Sequence, residues 1–147
     1  MKRVIAAGII GISIVLLSGC FNSTAVSVVS DMYEAALLED NELVGTYFSE
    51  DYMEEHPLEE LSDELAEDVR NRGGVNLLNM KELQERNLQT DISKKLNDAY
   101  DEDWRFIVVQ TDDDTIKTWI VLRGETQYYI VDGQVMDVET YNREVLQ

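Results

Sequence analysis

Apolar positions fall into two regimes along the chain. From Thr24 they recur at spacings of three and four, with Val26, Val29, Tyr33, Ala36 and Leu37 marking one face of an amphipathic helix. Ser23 or Thr24 is placed to cap its start, and Asp40-Asn41 interrupts it. A second short helix is predicted over Glu42 to Phe48, with Leu43, Tyr47 and Phe48 inward. Ser49 to Pro57 reads as a polar connection. A third helix over Leu58 to Arg72 carries Leu58, Leu61, Leu65 and Val69 on one face, and Gly73-Gly74 ends it.

After Gly74 the period changes. Val75 to Leu83 is expected to be extended, although its apolar residues do not alternate cleanly. Asp91 to Tyr100 predicts a short helix with Ile92, Leu96 and Ala99 on one side. Trp104 to Thr111 alternates as a strand, with Phe106 and Val108 opposing Ile107 and Val109. Asp112-Asp113-Asp114 turns the chain into a second strand, Thr115 to Arg123. There Ile116, Thr118, Ile120 and Leu122 face one way, and Lys117, Trp119, Val121 and Arg123 the other. Gln127 to Val131 and Gln134 to Val138 are expected to form a hairpin about Asp132-Gly133. Glu139 to Leu146 is a short helix or a frayed tail. Helices first and an antiparallel meander afterwards indicate an α+β domain, with N-terminal helices packed on one face of a curved antiparallel sheet.

The first nineteen residues follow a different logic. Met1-Lys2-Arg3 precedes an apolar stretch from Val4 to Leu17, and small residues follow. That order is the order of a secretory signal peptide, and the stretch falls short of the roughly 20 residues that span a bilayer. Leu17-Ser18-Gly19-Cys20 comes next and resembles the lipobox of bacterial lipoproteins. The resemblance implies that Cys20 is joined to diacylglycerol, that the peptide is cut before it, and that the new N-terminus is acylated, palmitate being the expected chain. The expected organisation is a signal peptide over 1–19, a lipidated tether over 20–23 and a single domain over 24–147. Two or three acyl chains, at about 0.8 kcal/mol per buried methylene, hold a soluble domain at a membrane.

Charge narrows the partners. Among 147 residues, 12 are basic and 30 acidic, a formal charge of −18. Residues 1–19 hold two of the basic residues and none of the acidic ones, so the mature chain is more acidic still. Nucleic acid is excluded as a partner of the general surface, because phosphate recognition needs a basic face. Repulsion from anionic lipid leaves membrane contact to the acyl chains. Cations and basic partner surfaces are favoured.

Further along, Val26-Ser27-Val28-Val29, Met32 to Leu37, Asp40 and Tyr47-Phe48-Ser49 form a pattern. It resembles the first two helices of small bacterial lipoproteins with a nuclear-transport-factor-two-like fold. Leu65-Ala66 to Gly73-Gly74-Val75 is similar to their third helix and first strand. The resemblance implies a cone of three helices wrapped by a bent sheet, with a pocket used for ligands, catalysis or dimer contacts. The stretch Gln84 to Asp103 is longer and more polar than that pattern has between its first strands, which leaves the strand order open.

Candidate chemistry is sparse. The one His, His56 in Glu54-Glu55-His56-Pro57, lacks the partners of a catalytic set and reads as an exposed loop residue. The one Cys is committed to lipid. Asp112-Asp113-Asp114 and the acidic run Asp98 to Asp103 lack the spacing of a calcium loop and read as solvated turns. The acidic third helix reads as a solvated face whose charges follow the helix dipole. Trp104, Phe106 and Trp119 on adjacent strands read as core, with a shared pocket or patch as the alternative. Thr118, Tyr128 and Tyr129 are the inward polar candidates, and Tyr128, Tyr129 and Trp119 are taken as the speculative ligand-binding set. No metal and no cofactor are expected.

The expected function is a non-enzymatic binding or protein-interaction module, anchored outside the bacterial membrane, whose partner is an envelope protein or small molecule. The competing readings are a pocket enzyme acting on a small hydrophobic substrate, and an exclusion or immunity lipoprotein of a mobile element. An inward Asp or Glu of raised pKa beside Tyr128 or Trp119 would favour the enzyme.

Overall fold

The computed structural model describes residues 23–147. The signal peptide, the lipobox Leu17-Ser18-Gly19 and the attachment residue Cys20 lie outside the described residues. Four helices come first: α1 (Thr24–Leu37), α2 (Asn41–Thr46), α3 (Glu50–Glu55) and α4 (Leu58–Arg72). Strand β1 (Asn79–Leu83), helix α5 (Thr90–Tyr100) and strands β2 (Trp104–Gln110), β3 (Thr115–Arg123) and β4 (Tyr128–Asp137) follow. A short helix α6 (Val138–Thr140) runs into one wide helical turn, Tyr141–Val145. The class is α+β, with one sheet in the order β1-β2-β3-β4 and every neighbouring pair antiparallel.

Local chemistry explains most boundaries. The Ser23 hydroxyl accepts from the Val26 N–H at 3.2 Å and starts α1. Gly73 adopts a left-handed conformation (φ 94°) that closes α4, and its N–H bonds the Val69 carbonyl. Ser49 to Pro57 is not a plain connection. Ser49 accepts from the Tyr52 N–H and caps α3, a helix too short to show an apolar period. Helix α2 stops at Thr46, and its inward residue is Val44 rather than Leu43, which is exposed. Phe48 remains buried, but as part of an extended link. The Ser49 N–H donates to the Ile130 carbonyl at 2.8 Å, and the Ile130 N–H to the Tyr47 carbonyl at 2.7 Å. The extended segment before α5 is likewise shorter than expected, because Val75–Leu77 forms a tight 3-10 turn.

Asp132-Gly133 is not a hairpin turn. It lies inside β4, next to a bulge at which Ile120 pairs with Asp132 and Val121 with Ile130, leaving Val131 unpaired. Gly133 is opposite Trp119, and a Cβ there would run into Cζ3 and Cε3 of the indole. The glycine serves the close approach of a ring, not a reversal of the chain. The bulge turns Val131 and Asp132 toward the same side of the sheet.

Both faces of the sheet are apolar, as the alternation requires. Ile107, Val109, Trp119, Val121 and Ile130 pack with α1 and α4 around Val29, Met32, Tyr33, Leu65 and Val69. Phe106, Val108, Ile116 and Ile120 form a second cluster with Leu88, Tyr141 and Val145, flanked by Ile92, Leu96 and Tyr100. Helices therefore cover both faces, not one. The C-terminal strip holds the start of α5: the Gln89 N–H donates to the Val145 carbonyl at 2.8 Å, and the Gln147 N–H to the Asn87 carbonyl at 3.1 Å.

Gly133→Ala is expected to destabilise the chain by about 1–3 kcal/mol, the usual range for overpacking. Urea unfolding followed by tryptophan fluorescence reads it as a lower midpoint. An unchanged midpoint would refute the close packing of Trp119 on β4.

Candidate functional site

The two layers are sealed to different degrees. Seven of the fourteen residues of α1 are buried. In α5 only Ser93 is buried, although Ile92, Leu96, Ala99 and Tyr100 share its apolar side. Helix α5 is held at its start by the C-terminal strip and near its end by Trp104 Nε1, which donates to Asn97 Oδ1 at 2.7 Å. Between these ends Ile92 and Leu96 pack only partly against the second face, and Ser93 Oγ donates to the Glu85 carbonyl at 3.4 Å. A cleft of about 650 Å³ results, with Ile92, Leu96, Phe106, Ile120, Met136 and Val145 among its lining residues. Lys95 and Arg143 also line it, and Arg143 is paired with Glu139 and Glu144.

A second concavity, an open trough of about 730 Å³, lies where α3 meets β4. Its wall is a ladder of rings. Phe48 stacks on Tyr52 with centroids 4.9 Å apart, and Tyr52 stacks on His56 at 3.9 Å with planes 6° apart. Trp119 meets Phe48 edge-on at 5.9 Å from below. His56 Nδ1 lies 2.8 Å from the Tyr52 carbonyl, so the ring nitrogen donates there and caps the end of α3. His56 is thus half-buried and ordered by stacking, not a free loop residue. Burial first, then the Asp132 and Glu64 carboxylates, push the Tyr52 hydroxyl up to about 12. Tyr100 and Asp132 border both the cleft and the trough. Burial and the charge of Asp132 likewise raise the pKa of Tyr100.

Of the residues singled out from the sequence, Tyr128 and Tyr129 point to opposite faces, as neighbours in a strand must. Tyr128 packs against the α1–α4 core, and Tyr129 lines the trough. Trp119 is buried beneath the ladder. The three do not converge on one space. Thr118 lines the cleft instead. Trp104 and Phe106 share the second face and Trp119 the first, so they form no common patch.

The acidic face of α4 is not wholly solvated. Lys117, only 5% exposed at its side chain, reaches Glu64 Oε1 at 2.6 Å and Asp68 Oδ2 at 2.7 Å. Two carboxylates one helical turn apart offset the desolvation of one ammonium. Burial raises the pKa of Asp68, and Lys117 counters it only in part. The Tyr33 hydroxyl, pushed well up by burial and by Asp68, lies near the Trp119 indole in the same core. An inward carboxylate of raised pKa is therefore present, but Asp68, Lys117, Tyr33 and Trp119 line neither the cleft nor the trough.

Asp112 behaves as a turn residue. Its Oδ1 accepts from the N–H groups of Asp114 and Thr115, at 2.8 and 2.7 Å, and these bonds lower its pKa. Among the described residues no cluster of His, Cys, Asp and Glu is arranged to hold a metal ion, and no helix is long and apolar enough to cross a membrane. Comparison with protein-family models, with curated proteins and with solved structures yields no match. Function must be argued from the two concavities themselves.

The raised Tyr52 pKa makes an alkaline prediction. A tyrosine whose folded pKa exceeds its unfolded value, near 10, contributes stability that is complete below that value and is lost as pH rises through the folded pKa. Unfolding is expected between about pH 10 and 12, and Tyr52→Phe should move the midpoint upward. Circular dichroism against pH checks it. A midpoint unmoved or lowered by Tyr52→Phe would contradict the assignment.

Proposed function

We propose that this chain is a lipid-anchored, extracytoplasmic binding module without enzymatic activity, and that the cleft beneath α5 receives a small apolar molecule. The carrying observation is the incomplete seal of α5. An amphipathic helix of eleven residues with one buried residue leaves apolar surface that a ligand would cover. In the cleft Ile92, Leu96, Phe106, Ile120 and Met136 stand beside Thr118, Asp132, Gln134 and groups of both charges, an arrangement suited to a ligand with an apolar body and a polar end.

The anchor belongs to the same proposal. With Cys20 as the first mature residue, residues 20–22 alone would separate the lipid from the Ser23 cap of α1. Three residues span at most about 11 Å, so the N-terminal end of α1 would sit close to the bilayer. The resemblance to nuclear-transport-factor-two-like lipoproteins stands as part of this reading, supported by the order of helices and antiparallel strands.

Two measurements test it. In cells supplied with labelled palmitate, the full chain is expected to carry the label and Cys20→Ala to carry none. Equal labelling of both would remove the anchor from the account. Purified in detergent, the full chain is expected to bind the neutral apolar fluorophore N-phenylnaphthylamine with micromolar affinity. Leu96→Trp, which pushes an indole into the cleft, should weaken binding by at least about tenfold, or 1.4 kcal/mol. Binding that is indifferent to Leu96→Trp would move the ligand elsewhere.

A further inference from the structure

The aromatic trough at the meeting of α3 and β4 carries a separate inference, independent of whether the α5 cleft is filled. Its geometry is fixed before any ligand arrives. Backbone bonds on both sides of Phe48 pin the base of the ladder to β4, Trp119 supports Phe48 from beneath, and His56 locks the far end to the Tyr52 carbonyl. Tyr100 and Tyr129 complete the aromatic lining. Tyr52 is buried between Phe48 and His56, which leaves the outer side of His56 and the rings of Tyr100 and Tyr129 to meet a ligand, and rings held in place do so without further ordering cost.

The charges around these rings are of one sign. Glu50, Asp51, Glu55 and Asp132 line the trough, and no Lys or Arg does. None of the four makes an ion pair among the described residues, whereas Glu64 and Asp68 on α4 are drawn to Lys117. The one additional contact is internal: Asp132 Oδ1 accepts from the Gly133 N–H at 2.8 Å. π faces and carboxylates together attract cations, each aromatic contact contributing about 0.5–2 kcal/mol. They repel anionic lipid and phosphate. The trough is open along its length rather than closed into a cage. An extended chain can lie in such a space and present successive basic side chains, whereas a single small amine would find walls on too few sides.

We propose that this trough is the docking site for an extended, arginine- and lysine-bearing segment of a partner protein, with basic side chains set against the open side of His56 and the rings of Tyr100 and Tyr129 and paired with the surrounding carboxylates.

The test uses the full chain in detergent and a fluorescent, unstructured peptide in which arginine alternates with glycine. Two variants remove the same charge from different places. One is Glu50→Gln, Asp51→Asn and Glu55→Gln in the trough. The other is Glu59→Gln, Glu60→Gln and Asp63→Asn on the exposed side of α4. Binding to the unsubstituted chain is expected to weaken with added salt. The trough variant should lose at least about tenfold in affinity and the α4 variant less than about twofold. Tyr129→Leu, which keeps apolar bulk but removes the ring, should lose about two- to thirtyfold. Equal loss in the two charge variants, or no binding by the unsubstituted chain, overturns the proposal. The N-phenylnaphthylamine titration run beside it separates the two sites. The trough variant should leave that probe bound as before, so failure of the peptide result leaves the cleft standing, and the reverse also holds.

Discussion

Strands β2 and β3 are apolar on both faces, and the rest of the architecture answers that constraint. Ile107, Val109 and Val121 project to one side, and Phe106, Val108, Ile116 and Ile120 to the other, all nearly inaccessible to water. Leaving either set exposed would forfeit about 1.5–3 kcal/mol for each large side chain. One layer of helices cannot satisfy both. Helices α1 and α4 cover the first face, and α5 with the C-terminal strip must cover the second. This requirement explains why a polar insertion of helical character separates β1 from β2 while the strands remain neighbours. The strand order left open by that insertion is thereby settled as sequential.

The two layers differ in quality, and the functional proposals follow from the difference. The α1–α4 layer is filled to the point of enclosing Lys117, Asp68, Tyr33 and Trp119 in its interior. The α5 layer is only half-closed: the apolar side of the helix, with Ile92, Leu96 and Tyr100, stays partly exposed. The bulge in β4 turns Val131 and Asp132 to the side where the cleft and trough meet.

How far the sequence discloses this depends on length and period. Helix α4 was legible to its last residue, because four apolar residues keep one face and Gly73 supplies the left-handed stop. The two faces of β2 and β3 were legible because alternation is strict there. Helix α3 was not, since six residues cannot display a helical period and only the Ser49 cap announces it. Asp132-Gly133 carries a hairpin signature, but Trp119, opposite Gly133 on the neighbouring strand, decides its use, and that contact is long-range. The inward Lys117 was visible as a charge on an apolar face, and its partners on α4 were visible only as members of an acidic run. Tyr128 and Tyr129 could not both point inward, a consequence of strand geometry available from the start. The ladder from Phe48 to His56 was hidden because Ser49 to Pro57 read as loop.

The central claim is that α5 is an incompletely packed cover whose apolar side awaits a ligand. Amide hydrogen exchange on the full chain tests it most directly, because protection reports the free energy of local opening. The amides of α5 should exchange well before those of α1 and α4, and saturating N-phenylnaphthylamine should slow them while leaving α1 and α4 unchanged. Protection of α5 equal to that of α1 and α4, insensitive to the probe, would contradict the account.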